Sequence, residues 1–126
     1  MTNISIIEDD QLISQMYRMK FETEGYDVNV ASTGMDGIKM VQETKPDLIL
    51  LDLTLPDIEG SAVLDGIRRL DTAAATPVVV LTNLDDDSAP KQLAKWDIDD
   101  YIVKANSTPR QVVAKIKEVL ARFNKA

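Results

Sequence analysis

The amino-acid sequence predicts an α/β fold, a doubly wound parallel sheet of five strands with helices on both faces. Three observations predict it. Short apolar runs alternate with amphipathic stretches five times along the chain, the pattern of successive βα units. The runs are rich in Val, Ile and Leu without strict apolar–polar alternation, which suits strands buried on both faces. At 126 residues, 44% of them hydrophobic, the chain has the size of one domain around a single core. No repeat, linker or low-complexity segment divides it, so residues 1–126 are expected to form one unit.

The first strand is predicted over residues 4–7 and the first helix over 11–24. Ile13, Met16, Tyr17 and Phe21 share one face of that helix, and Gly25 stops it. A strand at 28–30 leads into a short helix at 34–43. The third strand, 48–51, precedes a helix over 61–70 with Val63, Leu64, Ile67 and Leu70 turned inward. The fourth strand is 78–81, and its helix spans 88–96. Ser88 is read as the N-cap, with Pro90 in the first turn, where a missing N–H costs nothing. The acidic run Asp85-Asp86-Asp87 reads as a solvated loop. The last strand, 101–103, is followed by the clearest helix, 108–123. Thr108 is its cap, Pro109 its first helical residue, and Val112, Val113, Ile116, Val119, Leu120 and Phe123 form its apolar stripe. Trp96 and Tyr101 are expected in the core or at its rim.

Composition excludes several kinds of chemistry. With 21 acidic and 14 basic residues the net charge is −7, and basic residues group only at Arg68-Arg69 and along 115–117. Nucleic acid needs a concentrated basic footprint, so no direct nucleic-acid binding is expected. There is no cysteine and no histidine, which leaves no disulfide, no thiolate metal site and no imidazole base. No apolar run approaches the roughly 20 residues that cross a bilayer, and the first residues lack the look of a secretory signal. A cytoplasmic protein without membrane insertion is expected. Its chemistry falls to carboxylates, hydroxyls, lysines and a hard cation.

In a doubly wound sheet ligands bind at the carboxyl ends of the strands. The first strand ends in Glu8-Asp9-Asp10, the third in Asp52, the fourth in Thr82 and the fifth in Lys104. Taken singly, each has a plainer explanation: an acidic helix start, a strand-end hydroxyl, a solvated lysine. Asp52 is harder to explain away, because a carboxylate closing a buried strand is costly unless paired. Together the residues form a kit for phosphoryl transfer. Clustered carboxylates repel one another, and a divalent cation with oxygen ligands relieves that repulsion. Cation and lysine can then neutralise phosphoryl oxygens, while a carboxylate facing them is a competent nucleophile.

The motifs Ile6-Ile7-Glu8-Asp9-Asp10, Leu50-Leu51-Asp52-Leu53-Thr54-Leu55-Pro56-Asp57 with Gly60, Val80-Leu81-Thr82 and Asp100-Tyr101-Ile102-Val103-Lys104 resemble those of two-component response regulator receiver domains. The resemblance covers nearly the whole chain, with the motifs in order. It implies a CheY-like (flavodoxin-like) sheet of strand order 2-1-3-4-5. It implies that Asp52 is the phosphoacceptor, and that Glu8, Asp9, Asp52 and the backbone carbonyl of Thr54 hold Mg2+, or Mn2+ in its place. Lys104 is then the phosphoryl-stabilising lysine, Thr82 the switch hydroxyl and Tyr101 the switch aromatic. The implied donor is a phosphohistidine on a histidine kinase or histidine phosphotransfer protein. The implied output is a downstream protein target, met on the surface of the fourth helix, fifth strand and fifth helix, where Lys91, Lys95 and Lys115 are exposed candidates. Such a domain assists its own phosphorylation but is not a conventional turnover enzyme. With nothing beyond the last helix, it is expected to act through another protein or to come from a longer regulator.

Ala105, Asn83, Asp97 and Ile98 depart from the family pattern, and Thr54 and Leu84 occupy its two variable positions. Ala105 follows Lys104 where proline and a cis bond are usual. A cis bond before a non-proline residue costs about 3–4 kcal/mol, so a trans bond and a rearranged loop are expected. Asn83, beside Thr82, is bulkier than usual and alters access to the pocket. Thr54 and Leu84 are poorly suited to hold an attacking water, which predicts a long-lived phosphorylated state. Asp97-Ile98 replace a common Gly-Ala in the turn before the last strand. The competing readings are a phosphorylation-independent pseudo-receiver module and a phosphatase of the haloacid dehalogenase type. The second needs an acid two residues after the nucleophile, where Thr54 stands. A flavodoxin-like cofactor carrier lacks its phosphate loop here, and no P-loop is present.

Overall fold

The apolar runs become strands and the amphipathic stretches become helices, in strict alternation. A computed structural model describes residues 2–84 and 88–123; the acidic run at 85–87 lies outside the described residues. The order is β1 (Asn3–Ile7), α1 (Gln11–Thr23), β2 (Asp27–Ala31), α2 (Gly34–Thr44), β3 (Leu48–Asp52), α3 (Gly60–Arg68), β4 (Val78–Thr82), α4 (Ala89–Leu93), β5 (Asp100–Val103) and α5 (Pro109–Arg122). All four strand pairings are parallel, and the sheet order is β2-β1-β3-β4-β5.

The central strands explain the unbroken apolar runs. Successive residues of a strand point to opposite faces, and here both faces are covered. Leu48 and Leu50 enter a core with Tyr17 and Phe21 of α1 and Val112, Ile116 and Leu120 of α5. Ile49 and Leu51 enter a second core with Val41 of α2, Val63 and Ile67 of α3 and Leu93 of α4. Every residue of β3 and β4 is buried, whereas the edge strand β2 is only partly buried and exposes Asp27.

Helix ends follow local chemistry. Asp10 caps α1 by accepting from the Ile13 N–H at 3.1 Å, and Gly25 closes it at φ +92°, a conformation other side chains rarely adopt. Thr33 caps α2 through the Asp36 N–H. Thr108 and Gln111 form a reciprocal capping box on α5, with Pro109 in the first turn.

Three expectations need correction. The fourth helix is shorter than predicted, Ala89–Leu93, because the chain turns at 94–96 and Arg68 binds the Asp97 carbonyl. Ser88 precedes it in a helical conformation without a side-chain capping hydrogen bond; capping needs an extended backbone there. Phe123 is the C-cap of α5 and is 37% exposed, since the stripe runs out one turn before it. The face of α1 also buries Ser14, whose hydroxyl donates to the Gln11 carbonyl within the helix.

Candidate functional site

Parallel registry aligns the carboxyl ends of the four strands β1, β3, β4 and β5. Ile7 pairs with Leu51, Asp52 with Leu81, and Thr82 with Val103, so the residues that follow or end these strands emerge side by side. Glu8 and Asp9 leave β1, Asp52 ends β3, Thr82 ends β4, and Lys104 opens a single 3-10 turn, Lys104–Asn106, beyond β5. Carboxylate oxygens of Glu8, Asp9 and Asp52 all lie within 4.8 Å of one another. Glu8 and Asp52 are each only 1% exposed, while Asp9 faces solvent.

Lys104 bridges the two buried acids. Its ammonium donates to Asp52 Oδ2 at 2.6 Å and to Glu8 Oε1 at 3.1 Å. The other Asp52 oxygen, Oδ1, accepts from the Thr54 N–H at 2.9 Å, and Glu8 Oε2 accepts from the Asp10 N–H at 3.3 Å. Thr82 is 2% exposed, and its hydroxyl accepts from the Leu84 N–H at 3.0 Å. Asn83 and Thr54 are exposed, Leu84 is half-buried, and Tyr101 packs half-buried against the second core beside Trp96. Ala105 is exposed, and every peptide bond among the described residues is trans, including Lys104–Ala105.

Electrostatics follow from that crowding. Burial first, then the hydrogen bond and charge of Asp52, push the Glu8 carboxyl up to about 8, against the opposing pull of Lys104. Burial pulls Lys104 down, but Asp52 and then Glu8 outweigh it and hold the ammonium above the usual lysine range. A pocket with three acids and one lysine retains an excess of negative charge. Its donors are all oxygen, and Asp9 leaves it open to solvent, so the set fits a hard divalent cation of the Mg2+ kind.

Lys91 and Lys95 are exposed, as expected, but Lys115 is half-buried and pairs with Asp100 at 3.2 Å, so it is not a free surface charge. Two polar hubs went unforeseen. Asp57 accepts the first two N–H groups of α2, and Arg68 gathers carbonyls from two connections. Their partners are mostly backbone atoms, some nearby in connecting segments and others 22 to 29 residues away, which no residue pattern announces.

The sequence model of the response regulator receiver domain family matches residues 4–117. The chain belongs to that family. This receiver domain is 37% identical over 122 residues to the transcriptional regulatory protein AfsQ1 of Streptomyces coelicolor, covering 97% of this chain and 52% of that protein. It is 37% identical over 121 residues to the transcriptional regulatory protein ResD of Bacillus subtilis, covering 96% and 49% respectively. The chain thus spans about half the length of the curated relatives it matches. Among solved structures, a CheY-like receiver domain protein from Methanospirillum hungatei is similar at a TM-score of 0.87 and 29% identity, with 99% of this chain and 98% of that one covered. A two-component response regulator from Clostridium difficile is similar at 0.85 and 28%, with coverage of 98% and 99%. Receiver domains are signalling switches rather than turnover enzymes, and an acidic pocket at these strand ends is where they bind Mg2+. Among the described residues of this receiver domain, no helix is long and apolar enough to cross a membrane.

Proposed function

We propose that this receiver domain is a phosphoacceptor switch of a two-component phosphorelay, phosphorylated on Asp52. The observation that carries the proposal is the Lys104 ammonium, bridging Asp52 and Glu8 in a pocket of three converging carboxylates. Glu8, Asp9, Asp52 and the backbone carbonyl of Thr54 would hold Mg2+, or Mn2+. That cation, when bound, supplies positive charge to the oxygens of the transferring phosphoryl group.

A carboxylate oxygen of Asp52 attacks the phosphorus of a phosphohistidine on a histidine kinase or phosphotransfer protein. The new O–P bond forms as the P–N bond breaks, and the departing imidazole takes a proton from solvent. The Thr54 N–H keeps one Asp52 oxygen oriented, and Lys104 shifts from the carboxylate to the phosphoryl oxygens. Phosphorylation adds about −1.5 to −2 charge. Thr82, buried at the end of β4, follows that charge. Tyr101 turns inward with it, and the surface of α4, β5 and α5 changes its affinity for a downstream protein target. Direct nucleic-acid binding by this domain plays no part.

Incubated with Mg2+ and a small acyl phosphate, the protein is expected to gain one phosphoryl group by intact mass, and Asp52→Asn to gain none. No adduct from an acyl phosphate or a phosphohistidine donor would overturn the proposal in favour of a phosphorylation-independent module. Because Thr54 and Leu84 offer no acid or amide to an attacking water, the adduct is expected to persist for minutes with Mg2+ present. Loss within seconds, followed by the same mass measurement, would contradict that part.

A further inference from the structure

The loop between β3 and α3 is closed on itself and anchored to a different helix. Its start is fixed by the Leu53 N–H, which donates to the Leu81 carbonyl at 3.1 Å. Its end folds back on its start so closely that a Cβ on Gly60 would lie 2.6 Å from Leu53 Cδ2 and 3.0 Å from Leu53 Cα. At its far side, Asp57 reaches α2. Oδ1 accepts from the Gly34 N–H at 2.7 Å and Oδ2 from the Met35 N–H at 2.9 Å. The next residue, Ile58, packs where a Gly34 side chain would be, 2.6 Å from the site of its Cβ. Two adjacent loop residues therefore clasp one helix end, one by charge and one by shape. The same helix end already has an N-cap of its own in Thr33.

Because the loop begins Leu53-Thr54, the clasp has a consequence for Asp52. Thr54 is the loop residue whose N–H holds Asp52 Oδ1. We infer that Asp57 is a positioning residue for the acidic pocket: by clasping the N-terminus of α2 it fixes the β3–α3 loop so that Thr54 meets Asp52 and the bound cation. This inference rests on the pocket being the Mg2+ site proposed above. The two helix N–H groups, Met35 first and then Gly34, also hold the Asp57 carboxyl below its ordinary range, as expected of a charge facing a helix N-terminus.

A helix-capping role alone would make Asp57 and Thr33 equivalent, and that provides the test. Mg2+ is titrated calorimetrically into the native protein, Asp57→Ala, Asp57→Asn and Thr33→Ala, and amide exchange at Thr54 is followed without metal. Removing a residue that orients a metal ligand typically weakens metal binding about 10–100-fold, so Asp57→Ala should raise the Mg2+ dissociation constant about tenfold or more. Thr54 exchange should accelerate in parallel. Asp57→Asn, which keeps one acceptor oxygen, should fall between. Thr33→Ala should lower thermal stability but leave both Mg2+ affinity and Thr54 exchange near native. Equal affinities for native protein and Asp57→Ala, or equal weakening in Asp57→Ala and Thr33→Ala, would overturn the positioning role while leaving the metal site intact. Absence of Mg2+ binding by the native protein would overturn the site itself, a distinct result.

Discussion

Without divalent metal, the protein is expected to lose stability steadily between about pH 4.5 and about 8, and Glu8→Gln is expected to remove that loss. In the unfolded chain Glu8 gives up its proton near 4.5; in the folded protein it keeps it to about 8, first because it is buried and then because Asp52 stands beside it. Across that window Glu8 holds a proton in the folded state that it has given up in the unfolded state. Stability then falls with rising pH, by up to about 1.4 kcal/mol per pH unit and several kcal/mol in all. Lys104, held above its ordinary range, stays charged in both states throughout the window and contributes no slope there.

A cation held as proposed would reverse the sign. Mg2+ in the pocket would favour the ionised form of Glu8, so the stability it adds would grow with pH. Urea unfolding midpoints of native protein and Glu8→Gln, measured across this range in chelator and in excess Mg2+, separate the terms. In chelator near pH 8, Glu8→Gln should be the more stable by several kcal/mol; in Mg2+ the order should narrow or invert. Parallel pH profiles for the two proteins in chelator would show that Glu8 is not the proton holder.

The strand-end acids were legible because the sequence marks them twice. Asp52 closes a run of four apolar residues, and Glu8 directly follows another, so period and position together place them on one edge of a parallel sheet. The caps were equally plain where the signal is local: Thr108 before Pro109, and Gly25 after α1. Ser88 shows the limit of such signals. A Ser before an apolar stretch satisfies the pattern, yet its helical backbone denies the geometry that capping needs. Lys115 shows another, since its partner Asp100 lies on β5 and only tertiary packing brings them together. Asp57 stood in a quoted motif and Arg68 in a basic pair, but neither position signalled its partners. They bind main-chain atoms 22 to 29 residues away, or backbone in an irregular connection, and every residue type has such atoms to offer.

Replacing Arg68 by Ala is expected to destabilise the protein far more than replacing its neighbour Arg69. The Arg68 side chain is 13% exposed and forks three ways. One nitrogen donates to the Ala73 carbonyl at 3.1 Å and the Thr76 carbonyl at 2.6 Å. Two others meet the Asp97 carbonyl at 3.3 and 2.9 Å, with the Asp97 carboxylate 3.1 Å from Nε. Asp99, 3.8 Å away, in turn accepts the Val78 N–H that opens β4. The side chain thus joins the end of α3, the connection into β4 and the turn before β5. Its loss strands the part-buried carbonyls of Ala73 and Thr76 together with the half-buried Asp99, a change that costs about 1–3 kcal/mol. A lysine cannot span these acceptors with one point charge, so Arg68→Lys should recover little. The Arg69 side chain is 79% exposed and pairs with Asp65, four residues back, at 3.1 Å, so Arg69→Ala should cost less than about 0.5 kcal/mol. Chemical unfolding of the three variants measures the contrast. Comparable losses at the two neighbouring arginines, or full rescue by lysine, would mean that the fork contributes charge and not the bonding that ties α3 to the strand leading into Tyr101.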